Sequence, residues 1–257
     1  MVAMQRPTRS LSRKPSQAEI DQADLAGAEL TGCILRGLDL RGRDLAGAGL
    51  IEALVLDCDL TGADLSDADL TDAELDGSDL SGANLARARL VRARGERVCL
   101  AGARLVQAVM ANVMLPDVVL AGADLSGADL DHARLHGARA EGAVLRSARG
   151  EGVVLDEADL VRADLRQAHL PAAQLEHITG RGVNLAGAYL QRSRLDGADL
   201  TEGCLAEADL RKAVLKRARV EGADFQDAWV TGAVAVGLQG ADDALMALLK
   251  NRGATTE

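Results

Sequence analysis

The sequence predicts an all-β solenoid: a narrow tube wound from five-residue units, its interior packed and only its outer walls free. Three observations predict it. Reading every fifth residue from Ile20 to Ala235 gives 44 positions, and 33 of them are Leu. The residue two before each of these is Ala at 31 of the 44. The 257-residue chain also holds one Phe, one Trp and one Tyr. Aromatic side chains therefore cannot supply the bulk that a globular core of this length draws from them.

A period of five excludes the common elements. A helix would smear the Leu positions around its axis, and a plain strand would put successive Leu on opposite faces. Leu and the Ala two before it do share a face in a short extended segment. The chain must then turn before the next unit. Of the 27 glycines, 20 fall two residues after the central position, as Gly27, Gly62, Gly122 and Gly197 do. That is the third residue of a turn, where type II geometry needs φ > 0. Pro116 and Pro171 each follow a central Leu, the second turn position, where Pro is favoured. Each unit, as in Ala63-Asp64-Leu65, is thus one short side and one corner. Its Ala and Leu are buried only when coils stack.

On these residues the chain resembles the pentapeptide-repeat family over 20–235. The resemblance implies a right-handed quadrilateral β-helix with four repeats per coil. Its 216 residues would make about 11 coils and a rod of roughly 50 Å at ~4.8 Å per rung. Within the family the unbroken register is most like the loopless, mycobacterial type of fluoroquinolone-resistance protein, whose implied partner is DNA gyrase.

The expected organisation is a basic, disordered tail over 1–17, the solenoid over 18–237 and a capping helix over 238–253. Leu238, Ala241, Leu245, Leu248 and Leu249 follow helical spacing, with Asp242 and Asp243 at the start and Gly253 at the end, as helix signals require. A few inward slots depart from the pattern. Gly95, Gly150 and Gly180 lack a central side chain, and Val98, Val153 and Val183 follow three residues later. This pattern reads as local volume compensation. Arg43 occupies an inward slot and is expected to reach solvent or a carboxylate such as Asp24 or Asp44.

Nothing in the sequence assembles catalytic chemistry, and no enzyme, cofactor or metal is expected. Cys33, Cys58, Cys99 and Cys204 form no zinc spacing. His132 and His136 fall in different outward phases. No stretch approaches the ~20 apolar residues of a membrane span, and the first twenty residues lack an apolar signal region, so the cytoplasm is expected. The net charge is −10, which favours basic protein partners over direct nucleic-acid binding.

The surface carries the remaining signal. Acids crowd one band, including Asp44, Asp57, Asp59, Asp64, Asp67, Asp69, Asp72, Glu74, Asp76 and Asp79, and Arg87 to Arg104 follow at once. Given the family resemblance, this band is the candidate surface of a DNA mimic that occupies a type II topoisomerase such as gyrase and protects it from poisons. The alternative is an interaction scaffold for another partner. Continuous acidic rows on two adjacent faces favour mimicry, and scattered charge beside an apolar face favours the scaffold. Trp229, Val234, Leu245, Met246 and Leu249 form the candidate interface of a homodimer through the C-terminal end, an arrangement the resemblance also implies.

Overall fold

The computed structural model describes residues 11–257. Its backbone winds as a β-solenoid closed by a short C-terminal helix. Parallel bridges join residues twenty apart, from Glu29–Gly49 and Asp39–Asp59 to Cys204–Asp224 and Val214–Val234. Twenty residues, or four units, therefore make one turn. Among the described residues only β1 (Ile34–Arg36) and β2 (Leu54–Leu56) extend beyond a single bridge.

Each unit bonds itself and its neighbours in a fixed way. The central N–H donates to the next coil, as Leu30 does to the Gly49 carbonyl (2.7 Å). The residue before the centre donates to the previous coil, as Gly49 does to Ala28 (2.9 Å). The corner closes with Ala28 N–H donating to Leu25 O (3.1 Å). All corner residues from Gly27 to Gly237 have φ between 52° and 73°; 20 are Gly and 23 are not. The fold thus holds a left-handed residue at every corner, although a side chain there costs about 1 kcal/mol.

Inside, the Leu and Ala slots form one continuous core. Leu65, Leu100, Leu125 and Leu200 are fully buried, and so are Ala63, Ala123 and Ala198. The three empty central slots are filled in two ways. A Cβ on Gly95 would stand 2.8 Å from Val98 Cγ2, and one on Gly180 would stand 3.3 Å from Val183 Cγ1. At Gly150 the space is taken instead by Leu130 and Leu170 of the neighbouring coils, at 3.1 and 3.2 Å. The compensating valine therefore acts at two of the three sites.

The N-terminal end differs from the sequence expectation. Residues 1–10 of the expected tail lie outside the described residues. Where the first unit is expected, the chain forms α1 (Gln17–Gln22), with Ser16 and Glu19 in a reciprocal capping box. Ile20 is still buried, but from a helix. Arg43 is half-buried and pairs with no carboxylate among the described residues. Its guanidinium donates to the Ile20 and Ala23 carbonyls, both at 2.8 Å, which are acceptors at the end of α1. Gln17 completes the edge: its amide donates to Asp39 O (2.9 Å) and its Oε1 accepts from Asp39 N–H (2.8 Å). One side chain thus replaces the peptide group that a preceding coil would supply.

At the other end α2 (Asp243–Asn251) begins later than the expected 238, because Gln239 still pairs with Arg219 on the last coil. Asp242 caps α2 by accepting from Leu245 N–H (2.7 Å). After α2 the chain returns, and Thr255 pairs with Val234. Arg252 donates to the Ala228 carbonyl at 3.1 Å. Both ends of the ladder are therefore covered by the chain itself.

Candidate interaction surfaces

The bridges sort the outward residues into four faces, numbered here in chain order. Face 1 runs from Asp44 to Asp224, face 2 from Glu29 to Trp229, face 3 from Ile34 to Val234, and face 4 from Asp39 to Gln239.

The acids of the candidate band are largely explained by local chemistry. Outside β1 and β2, and except at Pro116 and Pro171, the amide after the central residue has no backbone acceptor along the ladder. An Asp just before the centre accepts it, as Asp44 does from Ala46 (3.0 Å), Asp59 from Thr61 (3.0 Å), Asp64 from Ser66 (2.9 Å), Asp69 from Thr71 (3.0 Å) and Asp79 from Ser81 (2.8 Å). Asp76 does the same for Glu96 of the next coil (2.8 Å). This is the Asx-turn chemistry that makes Asp a favoured corner residue. It also gives these amides an acceptor that the backbone ladder does not supply.

Arginines answer most of the others. Asp67 pairs with Arg87, Asp69 with Arg89, Asp72 with Arg92 and Glu74 with Arg94, each one coil apart. Asp57 pairs with Arg36, and Asp59 with Arg41. Hydrogen bonds from Arg87 and Arg92 hold the Asp67 and Asp72 carboxyls below their ordinary range. All ten acids thus have a local partner, while Asp44, Asp64, Asp76 and Asp79 have no ion-pair partner among the described residues. Three of these, Asp44, Asp64 and Asp79, lie on faces 4 and 1, beside corners made by Gly42, Gly62 and Gly82. The acidic rows do not run through. Cys99, Val119 and Arg139 interrupt face 4, and Arg104 and Val144 interrupt face 1.

The opposite edge, between faces 2 and 3, has different chemistry. Its corners carry Asn112, His132, Arg192 and Lys212, and face 3 carries Arg94, Met114, Arg134, Val154 and Arg194. The exposed large apolar residues, Met114, Tyr189 and Trp229, all lie on faces 2 and 3. Their alignment was readable in the sequence, since Tyr189 and Trp229 are forty residues apart, two full coils. His169 and Tyr189 rings lie 5.0 Å apart.

The C-terminal residues expected at a dimer interface separate. Trp229 is 59% exposed, with the Arg211 guanidinium 5.2 Å over its ring. Arg211 is held by Asp209. Burial alone would raise the Asp209 carboxyl, but the Arg211 and Gln191 hydrogen bonds outweigh it and lower it. Leu249, by contrast, is buried in its own chain, and Leu245 packs partly against the same core. Leu249 therefore cannot contact a second copy, because it covers the last coil. Val234 and Met246 are half-buried. Among the described residues no cluster of His, Cys, Asp or Glu is arranged to hold a metal, and no helix is long and apolar enough to cross a membrane.

A search of curated proteins finds no match for the chain. Among solved structures, HetL from the cyanobacterium Nostoc, a pentapeptide repeat protein involved in heterocyst differentiation regulation, is 30% identical. The match covers 82% of this chain and 89% of that one, with a TM-score of 0.27. QnrB1, a plasmid-mediated fluoroquinolone resistance protein, is 20% identical in a trypsin-treated form; coverage is 85% and 94%, and the TM-score is 0.36. A pentapeptide repeat protein of the Arabidopsis thaliana thylakoid lumen is 23% identical over 55% of this chain and 79% of that one, with a TM-score of 0.29. The family model for pentapeptide repeats matches in segments that run from residue 16 to residue 233. With the twenty-residue coil and the Leu-and-Ala interior, that match places the chain in the pentapeptide-repeat family.

Proposed function

We propose that this protein is a non-catalytic scaffold that docks a protein partner on its outer walls. The carrying observation is the distribution of its surface: the band's acids are taken up by local amides and arginines, and the exposed Met114, Tyr189 and Trp229 all lie on faces 2 and 3. Catalysis needs convergent polar groups in a recess, whereas outward side chains on a four-sided tube diverge. A right-handed rod of about 11 coils, as the family resemblance implies, presents long rows to a partner without rearranging. A stoichiometric complex should be recovered with the tagged chain from its own cells at moderate salt. Recovery of the free chain alone would discard the scaffold.

A second reading is favoured by Asp44, Asp64 and Asp79, which have no ion-pair partner among the described residues, beside the glycine-lined edge. It is a DNA mimic in the cytoplasm, dimeric through its C-terminal end, that binds DNA gyrase or another type II topoisomerase and protects it from poisons. Duplex DNA shows one charge per ~1.7 Å of axis, and the interrupted rows fall short of that. A supercoiling assay with and without a poison separates the readings. Inhibition or rescue at micromolar protein, lost when the three Asp become Asn, supports mimicry. No effect removes the topoisomerase and leaves the scaffold standing.

A further inference from the structure

We infer that the groove along face 3, between Arg92 and Gln174, is the docking site for an acidic amphipathic α-helix of a partner protein; the inference rests on the scaffold reading and names its surface. The groove has a volume of about 680 Å³ and lies between the corner row and face 3. A second groove begins beside it at Glu151, and a third shares Arg211 with the second and ends at Trp229. Successive hollows therefore follow one edge of the rod.

Charge and apolar surface select the occupant. The groove is lined by Arg92, Arg94 and Arg134, in a chain whose net charge is −10; Arg92 is paired with Asp72 and Arg94 with Glu74. Arg134 has no ion-pair partner among the described residues. Met114, 39% exposed, lies between Arg94 and Arg134 on the same ladder, and Val154 lies one rung beyond Arg134. A partner must therefore offer carboxylates flanking an apolar stripe. Nucleic acid offers phosphates but no apolar counterpart to Met114 and Val154.

Spacing selects the helix. Rungs repeat every ~4.8 Å, close to the 5.4 Å pitch of an α-helix. One turn of the partner thus meets about one rung, and long side chains absorb the drift. An extended strand repeats same-face side chains at ~6.8 Å and falls out of step within two rungs. From Arg94 to Gln174 is four rungs, about 19 Å, which a helix of about 13 residues spans.

The test is fluorescence anisotropy of a labelled helical peptide of about twenty residues, with Glu on one face and Leu on the other, at 150 mM salt. The expected result is micromolar binding that Arg134→Glu and Met114→Asp each weaken tenfold or more. Arg104→Glu on face 1 should leave binding within twofold, and a scrambled peptide of equal composition should bind at least tenfold more weakly. Each variant alters an exposed side chain, and an unchanged thermal melt checks its fold. Absent binding, equal binding of the scrambled peptide, displacement by a duplex oligonucleotide, or loss of binding as a second copy associates in light scattering would each overturn the inference. If the peptide fails while a cellular complex is still recovered, only this groove is lost. If both fail, the scaffold reading falls with it.

Discussion

Gly95 marks the smallest scale at which this fold is decided. A single added carbon would meet Val98 at 2.8 Å and the Leu75 carbonyl carbon at 3.0 Å. Gly95→Ala should cost about 1–3 kcal/mol by overpacking, and adding Val98→Ala should restore more than half of it. Equal melting of the single and double variants would show that Val98 is not what fills the slot. Asp164 offers a second test. Hydrogen bonds from Arg166, with help from Arg146, hold its carboxyl at about 2 against the opposing effect of burial. The unfolded value is ~3.9, so its contribution is complete above that pH and is lost as pH falls toward 2. Asp164→Asn should cost about 1–2 kcal/mol at neutral pH and flatten the acid-induced loss between pH 4 and 2. A parallel acid profile for the two proteins would sink this attribution.

Individual elements show what the sequence made legible. The inward rows and the corner glycines were readable because each is locked to the period of five, and a one-residue slip would expose every Leu. Helix α1 was not read, because Ala18 and Ile20 fit the repeat register while Ser16 and Glu19 spell a capping box over the same residues. The partner of Arg43 was hidden for the same reason, since its acceptors belong to that helix. The acid–arginine pairs had a visible signal. Asp67 and Arg87, and Asp72 and Arg92, are one coil apart, so a coil of twenty places the arginine band directly against the acids. What stays invisible in a linear reading is how the carboxylates divide between amides and guanidiniums. Helix α1 also yields a test of end protection. Ser16→Ala should cost about 1 kcal/mol. Gln17→Ala should speed hydrogen exchange at the Asp39 amide, whose acceptor is Gln17 Oε1. Unchanged exchange there would mean that another group covers this edge.

For the whole molecule, the covered ends bear on association. A solenoid with open terminal rungs tends to add further strands, and here Gln17, Arg252 and Thr255 occupy rungs at the two ends. Association must then use side chains that project outward. Trp229 is the most exposed of the large apolar residues, so Trp229→Asp should convert any C-terminal dimer to monomer by light scattering. An unchanged mass would discard that interface.

The uniform pairing of residues twenty apart has a kinetic consequence. A separation of 20 in 257 residues is a relative contact order of about 0.08, in the range of helical bundles rather than β-sandwiches. Formation should therefore spread from any nucleus by short zipper steps, fast for a protein stitched by inter-strand bonds. Its loss should begin as fraying, so amide protection should peak in the middle coils and fall toward both termini.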